Sequence, residues 1–262
     1  MVEGLSSILD RFRLDGRQAV VTGAAHGIGR ATAAALAQAG AAVWLADING
    51  PAVAKAAAEF AAGGLRATAR TLDVTDDAAA RRVVDEVVDA TGRLDILVNN
   101  AGIGGRAPSV AYERELWERV VAVNLTGCFL MARTAARVML PRQSGCIVNV
   151  ASIMGLVGNG LYPNPAYHAT KGALVNLTRA LAIEWAPQRL RVNAVAPCFV
   201  ETPLTTKLLT DPAMKTEIIR RTPLGRLAAP QDVAAAIVFL ASDAAAMVTG
   251  HVLAVDGGWL AQ

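Results

Sequence analysis

The sequence predicts an α/β chain in which one doubly wound parallel sheet of about seven strands carries helices on both faces. Three observations predict it: short runs that are apolar on both faces, Ala-rich helical stretches between them, and a glycine-rich turn directly after the first run. A strand apolar on both sides belongs in a sheet that is covered twice, and strands separated by helices join in parallel. The 262 residues contain no linker, internal repeat or low-complexity tract. Residues 16–262 therefore read as a single domain behind an N-terminal extension, residues 1–15, expected to be partly mobile.

Residues 18–22 (Gln-Ala-Val-Val-Thr) are the first buried strand. The turn from Gly23 to Gly29 follows and leads into a helix that stops at Gly40, a C-terminal cap. A strand at 42–47, a helix at 51–62, the break Gly63-Gly64, a strand at 66–72 and a helix at 76–91 continue the alternation. The fourth strand is 94–98. Helical segments cover 113–139, and Pro141 and Gly145 punctuate the chain before a strand at 146–151. A long helix spans 165–185, the sixth strand 190–196, a loop with short helices 197–221, a helix 230–241 and the last strand 252–255.

Composition excludes several classes. The net charge is +3, with 25 Lys and Arg scattered among 22 Asp and Glu, so no nucleic-acid partner is indicated. No run approaches membrane-spanning length, and residues 1–16 lack the basic start and apolar core of a secretory signal, which points to a cytoplasmic protein with no membrane partner. Cys128, Cys146 and Cys198 form no Cys-x-x-Cys or Cys/His cluster, so neither a disulfide framework nor a metal site is expected. His26, His168 and His251 are equally dispersed, and the Gly-x-Ser-x-Gly elbow of a serine hydrolase is absent. With 53% hydrophobic residues and a mean hydropathy of +0.37, the chain is apolar for a monomer, and a homo-oligomer is expected.

The candidate chemistry lies between residues 145 and 172. A strand ending near Ser152 and a helix opening with Tyr167-x-x-x-Lys171 present a hydroxyl beside a phenol and an ammonium, and positions four apart share a helix face. A phenol is a poor base near neutrality unless a nearby cation favours its ionised form, so this pair suits acid–base work on an alcohol or carbonyl. Gly23, Gly27 and Gly29, at the junction of first strand and first helix, permit a pyrophosphate to approach the helix's free N–H groups. Asp47 closes the second strand, where a carboxylate accepts hydrogen bonds from ribose hydroxyls and repels a 2′-phosphate; this favours NAD over NADP. His26 is a weak substitute for the cation that such a phosphate would need.

Thr22-Gly23-x-x-x-Gly27-Ile28-Gly29, Asn99-Asn100-Ala101-Gly102, Asn124, Ser152 and Tyr167-x-x-x-Lys171, in that order, resemble the short-chain dehydrogenase/reductase family in its single-domain NAD(P)-dependent form. The resemblance runs from Gly16 to Trp259 and implies a Rossmann fold. It implies that Tyr167 exchanges a proton with the substrate oxygen, Lys171 lowers the tyrosine's pKa and holds the nicotinamide ribose, Ser152 orients the substrate oxygen, and Asn124 anchors a water linking Lys171 to solvent. Dinucleotide contacts are implied for the turn residues including His26 and Ile28, for Asp47 with Ile48, for Asp73 and Val74, for Asn100, Ala101 and Gly102, and for Pro197, Val200 and Thr202. The chain departs from the family at Pro197-Cys198, where Pro-Gly is usual, and in a Ser152-to-Tyr167 loop longer by two residues. That loop, 153–166, and the lid segment, 203–221, are expected to shape the substrate pocket, with Ile103, Met154 and Tyr162 as apolar walls.

The implied function is an NAD-dependent oxidoreductase interconverting a secondary alcohol and a ketone; the preferred direction stays open, with an NAD partner only leaning toward oxidation. Its small-molecule substrate is a sugar acid or polyol, whose dehydrogenases the run Thr222–Arg226 resembles, or a hydrophobic cyclic or aryl alcohol. Arg106, Lys207, Lys215, Arg220 and Arg221 read as solvated charges rather than as a carboxylate site. The resemblance places the C-terminal segment and the helix of Tyr167 at subunit contacts of a homotetramer. The alternative is a dinucleotide-binding regulatory or scaffold protein without turnover, which would have no need of Ser152, Tyr167, Lys171 and Asn124 together.

Overall fold

A computed structural model describes residues 7–158 and 160–262. The apolar runs form β1 (Gln18–Thr22), β2 (Ala42–Asp47), β3 (Ala67–Thr71), β4 (Ile96–Asn99), β5 (Gly145–Val150), β6 (Leu190–Pro197) and β7 (Val252–Val255). All pair in parallel, in the order β3-β2-β1-β4-β5-β6-β7. The helices between them are α1 (Gly27–Gln38), α2 (Gly50–Ala62), α3 (Asp77–Thr91), α4 (Arg114–Val121), α5 (Cys128–Met139), α6 (Pro165–Trp185), α7 (Thr206–Leu209), α8 (Pro212–Arg220) and α9 (Pro230–Ala241).

Alternation along each strand feeds two apolar layers. In β1, Ala19 and Val21 pack with Ala33 and Leu36 of α1, Val53 of α2 and Ile237 of α9. Val20 faces the other way, with Val84 of α3, Met131 of α5 and Leu181 of α6. The sheet is thus doubly wound, as the sequence predicts. Strand order reverses at β1, which pairs with β2 on one side and β4 on the other, so the crevice beyond the carboxyl ends of β1 and β4 is where such sheets receive ligands.

Two elements differ from expectation. Residues 113–139 are not uniformly α-helical: Ala122–Gly127, between α4 and α5, is a π-helical stretch that turns Asn124 into the interior, where it is buried. The wider turn has no residue signature of its own, so periodicity does not reveal it. The N-terminal extension is anchored in its described part. Ile8–Phe12 forms a 3-10 helix, Phe12 stacks against Phe239 with centroids 6.3 Å apart, and Arg11 donates to the Asp243 carbonyl at 2.8 Å. Residues 1–6 lie outside the described residues.

Candidate active site

The turn between β1 and α1 is fixed from the neighbouring strand. Thr22 Oγ1 accepts the N–H groups of Asn100 (3.0 Å) and Ala101 (3.1 Å), while Asn100 Nδ2 donates to the carbonyls of Thr22 (2.9 Å) and Gly23 (3.0 Å). Asn100 therefore braces the turn with its side chain. Gly23 and Gly27 have φ of +64° and +53°, and a Cβ on Gly27 would come within 3.0 Å of the Thr202 methyl. A Cβ on Gly29 would collide with the Gly23 carbonyl, so that glycine acts by letting helix and strand approach.

These residues border a cleft of about 350 Å³. Asp47 and Ile48 lie on its wall, as do His26, Ile28, Asp73, Val74, Ala101, Gly102, Pro197 and Val200; of the predicted dinucleotide residues only Gly29 is set back from it. Asp47 is held by two backbone donors, Ala25 N–H to Oδ2 at 3.0 Å and Asn49 N–H to Oδ1 at 2.9 Å. A glycine turn that a Cβ would fill, a helix N-terminus behind it and a fixed carboxylate on the same wall fit a nicotinamide dinucleotide.

Ser152, Tyr167 and Lys171 border the same cleft. The first sits just past β5, the others on the first turns of α6. Ser152 adjoins the Tyr167 phenol and favours its ionised form, and Ser152 Oγ accepts the Met154 N–H at 3.1 Å. Lys171, 4% exposed, donates from Nζ to the Val150 carbonyl at 2.6 Å and lies 5.5 Å from the Tyr167 ring centroid. Asn124 stands behind them. Its Oδ1 accepts the Ile103 N–H at 2.8 Å, and its Nδ2 donates to the Ile103 carbonyl at 2.9 Å and to Thr170 Oγ1 at 3.3 Å.

The protein's own groups do not lower the tyrosine's pKa. Burial pushes the Tyr167 phenol up to about 12, against the pull of the neighbouring Ser152. Burial likewise pushes the Lys171 ammonium down to about 8. Desolvation is the larger effect on both groups in the protein alone; the expectation that Lys171 favours the phenolate together with a cationic nicotinamide concerns the loaded site.

A second cavity of about 350 Å³ adjoins the first, and Ser152, Tyr167, Cys198, Leu204 and Thr205 border both. Met154 and Tyr162 form part of its wall, as expected, whereas Ile103 borders the dinucleotide cleft instead. The basic residues divide. Lys215 pairs with Glu201 (3.2 Å), and Arg220 and Arg221 both pair with Glu217 (2.7 Å each), holding its carboxyl down at about 2. Arg106 and Lys207 instead border the second cavity, with the Arg106 guanidinium 4.8 Å above the Tyr162 ring.

Cys198 stands in the loop after β6 without a left-handed backbone, its N–H donating to the Val255 carbonyl at 3.2 Å. Burial pushes its thiol up to about 11. The substitution for the usual glycine is thus absorbed by the β6–β7 pairing, and Val200 and Thr202 still reach the cleft. Residues that sequence reasoning missed include Leu204 and Thr205, which face both cavities, and Asn164, which faces the second. Only the last carries a signal, a polar residue placed three before the tyrosine.

A family model described as enoyl-(acyl carrier protein) reductase matches residues 23–260. The chain belongs to the short-chain dehydrogenase/reductase family. Among curated relatives, the cis-4-hydroxycyclohexanecarboxylate dehydrogenase of Sinomonas cyclohexanicum is 46% identical over 94% of this chain and 97% of its own. The gluconate 5-dehydrogenase of Gluconobacter oxydans is 40% identical over 95% of this chain and 96% of its own. A gluconate 5-dehydrogenase from Burkholderia cenocepacia, solved in complex with NADP and tartrate, superposes with a TM-score of 0.94 at 40% identity, covering 98% of this chain and all of that one. Short-chain dehydrogenases are oxidoreductases, and the matched region takes in the chain from the glycine turn after β1 through β7, with Ser152, Tyr167 and Lys171 inside it. No helix among the described residues is long and apolar enough to cross a membrane.

Proposed function

We propose that this protein is an NAD-dependent dehydrogenase that interconverts a secondary alcohol and a ketone on a small hydroxylated acid. One observation carries the reading: Ser152 and Tyr167 border both the dinucleotide cleft and the adjoining cavity, which supports a reacting carbon at the junction of the two.

When bound, the dinucleotide supplies the hydride acceptor or donor. The protein manages the proton and the geometry. In oxidation, Ser152 Oγ and the Tyr167 oxygen hold the substrate hydroxyl; the tyrosinate takes its proton as the hydride leaves the same carbon. In reduction, the neutral Tyr167 returns a proton to the developing alkoxide. Lys171 binds the nicotinamide ribose and, with the cationic oxidised ring, favours the tyrosinate that burial disfavours. Asn124, tied to Ile103 and Thr170, positions the backbone around Lys171.

NAD is preferred because Asp47 stands on the cleft wall with Asp73 and because, among the described residues, Lys171 is the only lysine or arginine bordering the cleft. A 2′-phosphate beside Asp47 would meet like charge without a partner. The Burkholderia relative was solved with NADP, so this preference is argued from this chain's own carboxylate. Acid substrates are favoured by Arg106 and Lys207 at the second cavity, and the two curated relatives above are named for hydroxy acids.

The test is the nicotinamide absorbance of purified protein with NAD and NADP against sugar acids, polyols, and cyclic and aryl alcohols, with Tyr167→Phe as control. Turnover of a hydroxy acid with NAD that disappears in the variant is expected. Wild-type turnover in Tyr167→Phe would overturn the catalytic assignment.

A further inference from the structure

Asn164 occupies the N-cap of α6, the helix that carries Tyr167 and Lys171, yet its side chain makes no capping hydrogen bond. Asparagine at this position ordinarily accepts an N–H from the first turn, a contact worth about 1 kcal/mol. Here the backbone carbonyl of Asn164 accepts the His168 N–H at 3.1 Å, and the residue borders the second cavity. It is 6% exposed, and its Oδ1 has no hydrogen-bond partner. Among the described residues, Thr32 Oγ1 and Asn99 Oδ1 are also buried without a partner, but neither residue borders a cavity. A buried amide oxygen left unsatisfied costs about 1–3 kcal/mol unless something else supplies a donor.

Thr205 Oγ1 donates to the Val200 carbonyl and Tyr162 Oη to Met154 Sδ at 3.9 Å, while Arg106 and Lys207 are the cations of the same cavity. Asn164 lies three residues before Tyr167, and positions three apart are surface neighbours about 5–6 Å apart on a helix. A carboxamide both donates and accepts, and so does a hydroxyl, so the two match whichever way the amide is turned.

We propose that Asn164 is a specificity-determining residue whose carboxamide hydrogen-bonds a second substrate hydroxyl, one or two carbons from the one that reacts. The inference rests on the dehydrogenase reading above and sharpens it: the substrate is a polyhydroxylated acid rather than one with a lone alcohol. A site built around a polar contact rejects analogues that lack it, because the protein group is then left unpaired.

The test compares kcat/KM for gluconate, hydroxylated on every carbon beyond its carboxylate, with that for cis-4-hydroxycyclohexanecarboxylate, which has one hydroxyl, in wild type and Asn164→Leu. Wild type is expected to prefer gluconate. The variant should lose roughly tenfold or more on gluconate and stay within about threefold on the monohydroxy acid. Quenching of protein fluorescence by NADH verifies that the variant keeps its fold and cleft. Equal losses on both acids would mean that Asn164 serves only the helix start and would overturn the proposal, as would an unchanged ratio or a wild-type preference for the monohydroxy acid. Wild-type turnover of other alcohols but of neither acid would overturn the hydroxy-acid substrate and this inference with it, while leaving the dehydrogenase standing; silence with every alcohol would remove that reading as well.

Discussion

Lys171 is an ammonium held where its charge is disfavoured, and the direction of its shift fixes how stability depends on pH. Its folded pKa of about 8 lies below the ordinary value of 10.5. Between those values the unfolded chain holds a proton that the folded chain has released, so this residue makes stability rise with pH through that window and leaves it lowest below about 8. At pH 7 the shift corresponds to about 3 kcal/mol, of which the bond to Val150 offsets about 1 when a replacement removes both. Lys171→Met is therefore expected to unfold several degrees higher than wild type at pH 7, to lose that advantage near pH 10.5, and to have no measurable turnover. Thermal unfolding at the two pH values checks this, and a variant less stable than wild type at both would refute it. Tyr167 gives a second dependence. With its phenol pushed up to about 12 by burial, the base form needed for oxidation is scarce at neutrality, whereas the acid form needed for reduction is abundant. Alcohol oxidation should climb with pH from 7 upward while ketone reduction does not; an oxidation rate already level at pH 7 would show that Lys171 and the oxidised ring bring the phenol below neutrality despite its burial.

The turn between β1 and α1 and the end of β2 act as one unit, because Asp47 is held by the N–H groups of Ala25 and Asn49 and so cannot swing away from a ribose. Asp47→Ala should narrow the ratio of kcat/KM for NAD over NADP by about tenfold or more, since like charges brought together cost several kcal/mol. An unchanged ratio would place the ribose elsewhere. This unit was legible in the sequence because each part has a residue requirement: glycines where a Cβ would collide, an acid at a strand end, an apolar run before them. The pairing of Tyr167 and Lys171 on one face of α6 was legible for the same reason, through their four-residue spacing. What escaped notice has no such requirement. The π-helical stretch Ala122–Gly127 has no residue pattern that marks its wider turn, and Asn164 looks like any helix cap until it is seen to make no capping bond and to border a cavity. The division of the basic residues also escaped, because pairing of Lys215, Arg220 and Arg221 with Glu201 and Glu217 depends on how the 203–221 segment folds.

For the whole molecule, the apolar composition and the sheet order bear on assembly together. The sheet ends at β7, whose outer edge has no strand beside it among the described residues, and Val252, Leu253 and Val255 on it are only half-buried while Ala254 is exposed. An apolar edge strand left bare invites pairing with another chain, and stable proteins cover it or charge it. This edge carries no charge. Trp117, Phe129, Ile183 and Met247 are also exposed large hydrophobics, more apolar surface than a monomer needs. These features support the homotetramer expected from the sequence, with β7 at a contact between symmetry-related copies. The expected mass by light scattering is about four times 27.2 kDa. Ala254→Arg tests the location. On an exposed monomer surface it would change little, typically within about 0.5 kcal/mol. At a covered contact it buries an unpaired charge and should shift the protein to smaller species that remain folded by circular dichroism. A monomeric wild type would leave the apolar composition to be explained within a single chain, and a tetramer indifferent to the new arginine would move the contact to another of the exposed apolar faces.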